Sequence, residues 1–364
     1  MFRKVLCVFP ILAVVGFIVS CSGGPTLPRE TAGGNGDTEL NAGRHHKGII
    51  AFSRETDPDD PSHYGNHDIW VMGPNGGHQI KPNGLNDPYG DDDYPAFSPN
   101  GSSLAFSSNR GSGYGNHDIY RYDFKGHVTQ LTDEAWQFDS QSPDWGPGFI
   151  ISSRHNTLVG APFDVVPVHV INPKGGVIDY VPTGHIANYL ACVNRWGSAM
   201  AFCARPAGAT YFGDIEIYIY YKEANESVQL TFLAEPRPDP DYLVDSLHPA
   251  FNSQGSRIVF QTNAWDYNWE LAYITLGNVG ASDPVRLTEN TWDDMMPCFS
   301  PDGNWVAYVA NGQDDNFEVY KMYIGDDNHI SHDPIRLTFS KENEANPDWS
   351  PGIGKHADPP HEVH

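Results

Sequence analysis

Short apolar segments separated by polar turns that contain glycine and proline recur along most of this chain. In one pair of neighbouring segments the large side chains share one face and the small ones share the other. These two sets are Phe97, Leu104 and Phe106 against Ala96, Ala105 and Ser107. Alternation over segments this short is typical of β-strands. The pattern therefore predicts an all-β protein whose sheets stack face to face.

One motif, a short strand followed by a Pro/Gly turn, returns along the chain at a nearly constant spacing. Its copies are Tyr94–Gly101, Ser142–Gly148, a degenerate one at Leu190–Gly197, His248–Gly255, Met296–Gly303 and Asn346–Gly352. Their anchor positions are 95, 143, 191, 249, 297 and 347, so the steps are 48, 48, 58, 48 and 50 residues. Four strands of about five residues with their turns need roughly that length, which is one propeller blade.

The chain ends predict how the ring of blades closes. Gly48–Arg54 matches the second strand of a repeat, with no first strand before it, and residues 346–352 match a first strand with nothing after it. Joined, they complete one blade and leave no exposed sheet edge. The sequence therefore predicts a six-bladed β-propeller of four-stranded antiparallel blades over residues 47–352, closed by its N- and C-terminal segments.

The first 21 residues have the order of parts found in export signals. Arg3 and Lys4 precede the apolar stretch Val5–Val19, and Ser20 stands directly before Cys21. About 15 apolar residues fall short of the roughly 20 that a membrane-spanning helix needs. The segment resembles the lipobox of bacterial lipoproteins, which implies a signal peptide at 1–20 and lipidation of Cys21.

The segments that flank the propeller are polar. Residues 21–46 read as the lipidated cysteine and a flexible tether, and residues 353–364 read as a disordered tail. We expect an exported protein that is lipid-anchored to the bacterial cell envelope. By resemblance to enterobacterial lipoproteins, Ser22 after the cysteine favours the outer membrane, facing the periplasm or the cell surface.

The repeats resemble those of the TolB-like propeller family over about residues 48–352. The resemblance is carried by the turn in Met296–Gly303, by Asp118-Ile-Tyr in the third strand and by Gln130-Leu-Thr in the fourth. The α/β domain that precedes the propeller in TolB is not matched here. The resemblance implies a non-catalytic binding or scaffold protein of the envelope that recognises a protein or peptide partner. We also expect the protein to be monomeric.

Charge narrows the class of partner. The formal net charge is −24 at pH 7, which repels phosphate backbones and argues against nucleic-acid binding. Such a surface suits cationic partners or divalent metals, or it serves solubility alone.

Acidic side chains precede most of the predicted inner strands, at equivalent positions around one mouth of the central channel. The candidate binding or metal residues are Asp92, Asp93, Asp139, Asp245, His248, Asp293, Asp294 and Glu344. Hard oxygen ligands of this kind suit Ca²⁺ or a basic peptide. The alternative is that these loops only solvate the surface.

Two further features have both a chemical and a structural interpretation. His67 and His117 lie in two copies of a Tyr-Gly-Asn-His-Asp motif. They are either metal ligands or turn residues that precede a third strand. Cys192 and Cys203 face each other in the repeat alignment, which predicts either a disulfide or two buried thiols, with Cys298 unpaired.

Familiar catalytic motifs are absent: the chain has no G-x-S-x-G, no P-loop and no H-E-x-x-H. Two alternatives to a binding protein stay open. One is a propeller enzyme that acts on a polysaccharide or small molecule with a metal in the central funnel. The other is a carbohydrate-binding surface protein using Trp265, Tyr267 and Trp269, although packing between blades also explains those aromatics.

Overall fold

The computed structural model describes most of the predicted propeller region. The described residues are 48–56, 66–112, 115–133, 138–156, 168–183, 189–206, 214–233, 243–277, 280–312, 316–325 and 333–350. All of them belong to the unit Lys47–His364, so the predicted signal peptide, Cys21, the tether and the tail lie outside them. These ranges contain 24 β-strands, and no helix in them could span a membrane.

The strands follow one another in six antiparallel sheets. The first blade begins with β1 (Ile50–Glu55) and β2 (His67–Met72). The second consists of β3 (Asp92–Phe97), β4 (Leu104–Ser108), β5 (Asp118–Tyr122) and β6 (Val128–Gln130). The third consists of β7 (Phe138–Gly146), β8 (Phe149–Asn156), β9 (Val168–Ile171) and β10 (Val177–Val181).

The remaining blades repeat the same order. The fourth consists of β11 (Tyr189–Val193), β12 (Ala199–Ala204), β13 (Glu216–Tyr221) and β14 (Glu226–Gln229). The fifth consists of β15 (Ser246–Phe251), β16 (Arg257–Thr262), β17 (Glu270–Gly277), β18 (Gly280–Ala281) and β19 (Val285–Arg286). The sixth consists of β20 (Asp294–Phe299), β21 (Trp305–Ala310), β22 (Glu318–Tyr323) and β23 (Ile335–Arg336), and β24 (Glu344–Trp349) ends the series.

The two ends of the propeller meet in one sheet, as the sequence predicts. β24 pairs antiparallel with β1, with Ile50 opposite Trp349 and Arg54 opposite Glu344, and the sheet order is β2-β1-β24. An isolated bridge between Val71 and Ile80 occupies the place of the fourth strand. The protein is therefore a six-bladed β-propeller whose first blade takes its inner strand from the C-terminal end.

The core lies between the blades, where the large face of one sheet meets the small face of the next. Phe97, Leu104 and Phe106 pack with Ile69 and other residues of the first blade. Ala105, on the opposite face of β4, packs towards the third blade. The predicted division into a large and a small face is confirmed. Each fully buried large side chain contributes about 1.5–3 kcal/mol relative to an exposed one.

The Leu-Thr motif at the end of the fourth strand fastens that strand to the third. In four blades the threonine hydroxyl accepts the backbone N–H of a third-strand residue at 2.8 to 2.9 Å; these threonines are Thr132, Thr231, Thr288 and Thr338. The leucine before each of them is buried. The repeated Leu-Thr motif thus has a structural role, because it joins the end of the fourth strand to the third strand of the same blade.

Candidate functional site

The acidic loops before the inner strands link neighbouring blades. Asp139 accepts the backbone N–H of His117 at 2.6 Å, Asp245 that of Ile215 at 3.0 Å, and Asp293 that of Trp269 at 2.9 Å. In each case the donor is the residue directly before the third strand of the preceding blade. Three of the predicted site carboxylates therefore have the same structural contact, which explains why an acid recurs at this place in the repeat.

The acidic residues that begin three of the inner strands, Asp92, Asp294 and Glu344, are buried and make ion pairs or hydrogen bonds. Asp92 accepts Nη2 of Arg110 at 2.5 Å, and Glu344 accepts Nε of Arg54 at 2.8 Å. Asp294 is buried and accepts the Asn290 amide at 2.6 Å, and burial raises its pKa to about 7. These side chains stabilise the loops and do not point into open space.

Asp93 is engaged in the same manner. It accepts the Ser53 hydroxyl, Nδ2 of Asn346 at 2.9 Å and its neighbour's backbone N–H at 2.7 Å. Among the residues that the structure describes, no group of three or more His, Cys, Asp or Glu is placed to hold a metal ion. The calcium site expected from the sequence is thus not assembled from the described carboxylates, and calcium binding itself stays a prediction.

A ring of strained residues shapes the opposite half of the channel. Each inner strand has a bulge at the same place, where two of its residues face one residue of the second strand. The first bulge residue in every blade has a positive φ, between 49° and 54°: Tyr94, Ser142, Leu190, His248, Met296 and Asn346. Such a backbone costs on the order of 1–3 kcal/mol per residue and is concentrated at functional sites.

These bulges turn the side chains of the ring into a central cavity of about 1070 Å³. The cavity is also lined by the Pro/Gly turns that follow the inner strands, including Asn100, Gly148 and Ser253, so it reaches the turn face of the propeller. The acidic residues of the loops before the inner strands do not line this cavity. His248, predicted to face the channel, lies in this wall, whereas the other predicted binding or metal residues do not line the cavity.

Two carboxylates that the sequence analysis did not single out lie in the cavity wall. Asp144 accepts the backbone N–H of Val193 at 2.7 Å, and Asp348 accepts that of Phe97 at 2.6 Å, each from the following blade. Burial raises the pKa of Asp144 to about 7 and that of Asp348 to about 6. The signal in the sequence is that these two repeats read Pro-Asp-Trp where others read Pro-Ala-Phe or Pro-Cys-Phe.

His248 adds a neutral polar group to the same wall. Burial lowers the pKa of its imidazole to about 4, so the ring carries no charge at neutral pH. Both ring nitrogens are shielded from solvent, the Gln261 side chain lies beside the ring, and Oδ1 of Asn346 lacks a hydrogen-bond partner among the described residues. The wall thus combines hydrogen-bonding groups with apolar side chains such as Leu190 and Met296, a composition typical of binding sites.

The rim of the cavity carries an aromatic and a cationic side chain. Trp196 is 41% exposed, and the guanidinium of Arg195 lies 5.8 Å from the centre of its ring. Trp196 packs on Gly255 in the adjacent turn, where a Cβ would come within 2.3 Å of the indole. Only glycine fits there, and its φ of +61° also suits glycine.

The histidines of the Tyr-Gly-Asn-His-Asp motif meet on the acidic-loop side. Asp91 lies between them, 3.1 Å from Nδ1 of His67 and 3.2 Å from Nε2 of His117. His117 is also hydrogen-bonded by Gln141 and lies 3.7 Å from Asp139. His67 begins a third strand and His117 directly precedes one, which agrees with the structural interpretation of the motif.

Of the two alternatives for Cys192 and Cys203, a disulfide or two buried thiols, the structure contains the free thiols. In the β11–β12 register Cys192 lies opposite Ala201, and Cys203 lies opposite Tyr189, so the two do not face each other across the hairpin. Both are free and buried, as is Cys298. Burial raises the pKa of all three thiols. The alternative of buried thiols describes the structure.

The three aromatic residues considered for carbohydrate binding differ in their exposure to solvent. Trp265 and Trp269 pack against the core of the fourth and fifth blades, and Arg286 lies over the ring of Trp265 at 5.2 Å. Tyr267 alone of the three is largely exposed, at 65%. A flat platform of three exposed rings is therefore not present.

The fold and this cavity define a six-bladed propeller with a central funnel. No family model matches the chain, and no curated protein sequence is significantly similar to it. Among solved structures, the chain is similar to TolB from Acinetobacter baumannii, with a TM-score of 0.64, 16% identity, and 83% of this chain and 66% of that chain covered. The chain therefore spans just under two thirds of that protein's length.

Two other solved structures share the architecture. Hydrazine synthase from Kuenenia stuttgartiensis gives a TM-score of 0.61 at 14% identity, over 83% of this chain and 46% of that one. A putative TolB from Agrobacterium tumefaciens gives a TM-score of 0.51 at 14% identity, over 80% of this chain and 88% of that one. Likeness at these identities shows the propeller fold and leaves function to the site.

Proposed function

We propose that this protein is a non-catalytic binding module of the bacterial cell envelope, which takes a segment of a protein partner into the funnel on its turn face. The observation that carries the proposal is a cavity of about 1070 Å³ whose wall is formed by six different bulge side chains. A cavity of this size lies at the upper end of the range for small-molecule pockets and has room for a peptide segment. The similarity to the TolB structures supports a binding role by analogy of fold only.

The partner's entry is tested by photocrosslinking from the rim. Trp196, exposed and lining the funnel, is replaced by the photoreactive p-benzoylphenylalanine, which preserves an aromatic ring at the site. The matched control places the same residue at Ile178, which is 59% exposed on the outer strand β10. We expect a covalent protein adduct in cells from position 196 and none from position 178. Equal adducts from both positions, or none from either, would contradict the proposal.

The envelope location is a separate proposal that rests on the sequence. The apolar stretch before Ser20 and Cys21 supports export and acylation of Cys21, and several acyl chains bind a membrane firmly because each buried methylene contributes about 0.8 kcal/mol. We expect the wild-type protein in the membrane fraction and the Cys21→Ser variant outside it. A Cys21→Ser variant that stays with the membranes would show that lipidation is not the anchor.

Catalysis in the funnel is the competing function, and one observation favours it. Asp144 has a pKa of about 7 and shares the cavity with His248, which is neutral. A general acid or base works best with a pKa near the working pH. An enzyme would turn over a polysaccharide or small molecule and lose that activity in Asp144→Asn, whereas a binding module has no activity for this variant to remove.

A further inference from the structure

The funnel wall contains a polar atom that the packing of the blades does not use. Oδ1 of Asn346 is buried and has no hydrogen-bond partner among the described residues, and the His248 imidazole is shielded from solvent with the Gln261 side chain beside it. A buried polar atom without a partner costs about 1–3 kcal/mol. An unpaired atom of this kind in the wall of a cavity indicates a site that a ligand completes.

The two carboxylates of the wall are not required by the fold. Asp144 and Asp348 occupy one position of the repeat, and the other four blades have small side chains there: Ala96, Cys192, Ala250 and Cys298. Those four blades form the same bulge without a carboxylate. Each carboxylate oxygen that accepts one backbone N–H keeps a second lone pair for another donor.

The funnel wall carries two acidic and two basic side chains, so its overall charge does not favour a cation and any attraction for one is local to Asp144 and Asp348. The ionisable lining residues are Tyr94, Arg121, Asp144, Cys192, Arg195, His248, Cys298 and Asp348. The thiols of Cys192 and Cys298 and the Tyr94 phenol have raised pKa values and the imidazole a lowered one, so all four groups are neutral at pH 7. The two arginines donate to the backbone carbonyls of Pro173 and Ser253 in turns.

We propose that the funnel binds a basic side chain, arginine or lysine, of the inserted segment between Asp144 and Asp348. This inference rests on the proposed function and names the chemistry that the partner presents there. A guanidinium or ammonium group supplies donors to both carboxylates and to the unpaired Asn346 oxygen. Within a desolvated cavity such a pairing is stronger than at an exposed surface.

Binding of a cation is then linked to proton release. The cation binds the ionised carboxylates, whose pKa values of about 7 and 6 leave them largely protonated at pH 5. Affinity for a basic probe should therefore rise between pH 5 and pH 8, by about tenfold for each unit of pH over which a single carboxylate is mostly protonated. A neutral probe of the same shape should show no such dependence.

Three tripeptide probes test the inference by calorimetry on the full chain: acetyl-Gly-Arg-Gly-amide, its lysine analogue and its citrulline analogue, which is neutral and close in shape to arginine. At pH 8 we expect arginine or lysine to bind at least about tenfold more tightly than citrulline. The Asp144→Asn, Asp348→Asn double variant should lose that preference. Asp283→Asn, which changes an exposed acid that does not line the cavity, should keep it.

The controls separate this inference from folding and from the proposed function. Circular dichroism and melting report whether the double variant is folded, and the wild-type ratio of arginine to citrulline affinity at pH 5 and pH 8 tests the same point without any substitution. A ratio near one at both pH values, or no binding by any probe, overturns the inference. An adduct formed at position 196 in that case leaves the proposed function standing, whereas no adduct overturns that function as well.

Discussion

Arg54 and Glu344, which are 290 positions apart in the sequence, form a buried ion pair in which Nε and Nη2 of the arginine donate to one carboxylate oxygen at 2.8 and 2.5 Å. Their side chains are 11% and 0% exposed. The other carboxylate oxygen accepts the backbone N–H of Val319 in the sixth blade at 3.1 Å. One side chain therefore joins the two ends of the propeller to each other and to the neighbouring blade.

Removal of Glu344 should destabilise the protein strongly. Glu344→Ala leaves the Arg54 charge buried without its partner, which costs about 3–5 kcal/mol in comparable pairs. The measurement is the free energy of unfolding in urea. The matched control is Asp266→Ala, because Asp266 pairs with Arg286 but is 53% exposed, and that change should cost less than about 1 kcal/mol. Similar losses in both variants would show that the closing pair has no special role.

Truncation tests closure more severely. Deletion of residues 346–364 removes most of β24, so β1 becomes an unpaired edge and Ile49 loses its contact with Ser350 at 3.1 Å. We expect the shortened protein to melt far below the intact one or to aggregate. Deletion of residues 353–364 alone, the predicted tail, is the control and should leave the melting temperature unchanged. A protein lacking 346–364 that melts like the intact chain would refute closure by this strand.

The recurrent acids of the inner-strand loops should behave as structural residues. Asp139→Ala, Asp245→Ala and Asp293→Ala each leave a backbone N–H of the preceding blade without its acceptor, at about 1–3 kcal/mol per site. The corresponding Asn variants keep a carbonyl acceptor and should recover most of that loss. Asn343, which accepts the Phe317 N–H at 3.0 Å in the closing blade, shows that an amide suffices. Loss of metal or peptide binding at full stability would instead support the binding interpretation.

The repeat predicted the fold because every blade buries the same face against its neighbour. A pattern that recurs six times specifies strand order, and the incomplete units at Gly48–Arg54 and Asn346–Gly352 specify closure. Repetition also gives the recurrent acids a structural explanation. An acid that recurs in most blades, such as Asp139 or Asp293, has a role that every blade needs.

The functional candidates lie instead where the repeats differ. Asp144 and Asp348 replace small residues at one position, and His248 is one of six different residues in the bulge ring. Their raised and lowered pKa values depend on burial in the funnel, which requires all six blades to be in place. The spacing of residues within one repeat carries no information about distances between blades. The sequence alone therefore could not predict that these residues line one cavity.

The three thiols of the propeller should be inert until the protein unfolds. Cys192, Cys203 and Cys298 are buried with raised pKa values, and the thiolate is the reactive form. Iodoacetamide at pH 8 should leave their tryptic peptides unmodified in the native protein and modify each one in urea. A peptide in which Cys192 and Cys203 are crosslinked, sensitive to reductant, would show that the disulfide forms after all.

Stability should fall in alkaline solution because of the two histidines around Asp91. Their carboxylate neighbours, acting against burial, raise the pKa of His67 to about 9 and that of His117 to about 10, above the ordinary value of 6.5. The folded state therefore binds protons more tightly than the unfolded state, so this contribution is complete below pH 6.5 and is lost as pH rises through 9 and 10. We expect a loss on the order of 1–3 kcal/mol between pH 7 and pH 10.5 in urea unfolding. Because tyrosines and lysines titrate in the same range, the measured quantity is the difference from a His67→Gln, His117→Gln variant, which should lose less. Parallel pH profiles for the two proteins would show that the His67–Asp91–His117 contacts add no proton-linked stability.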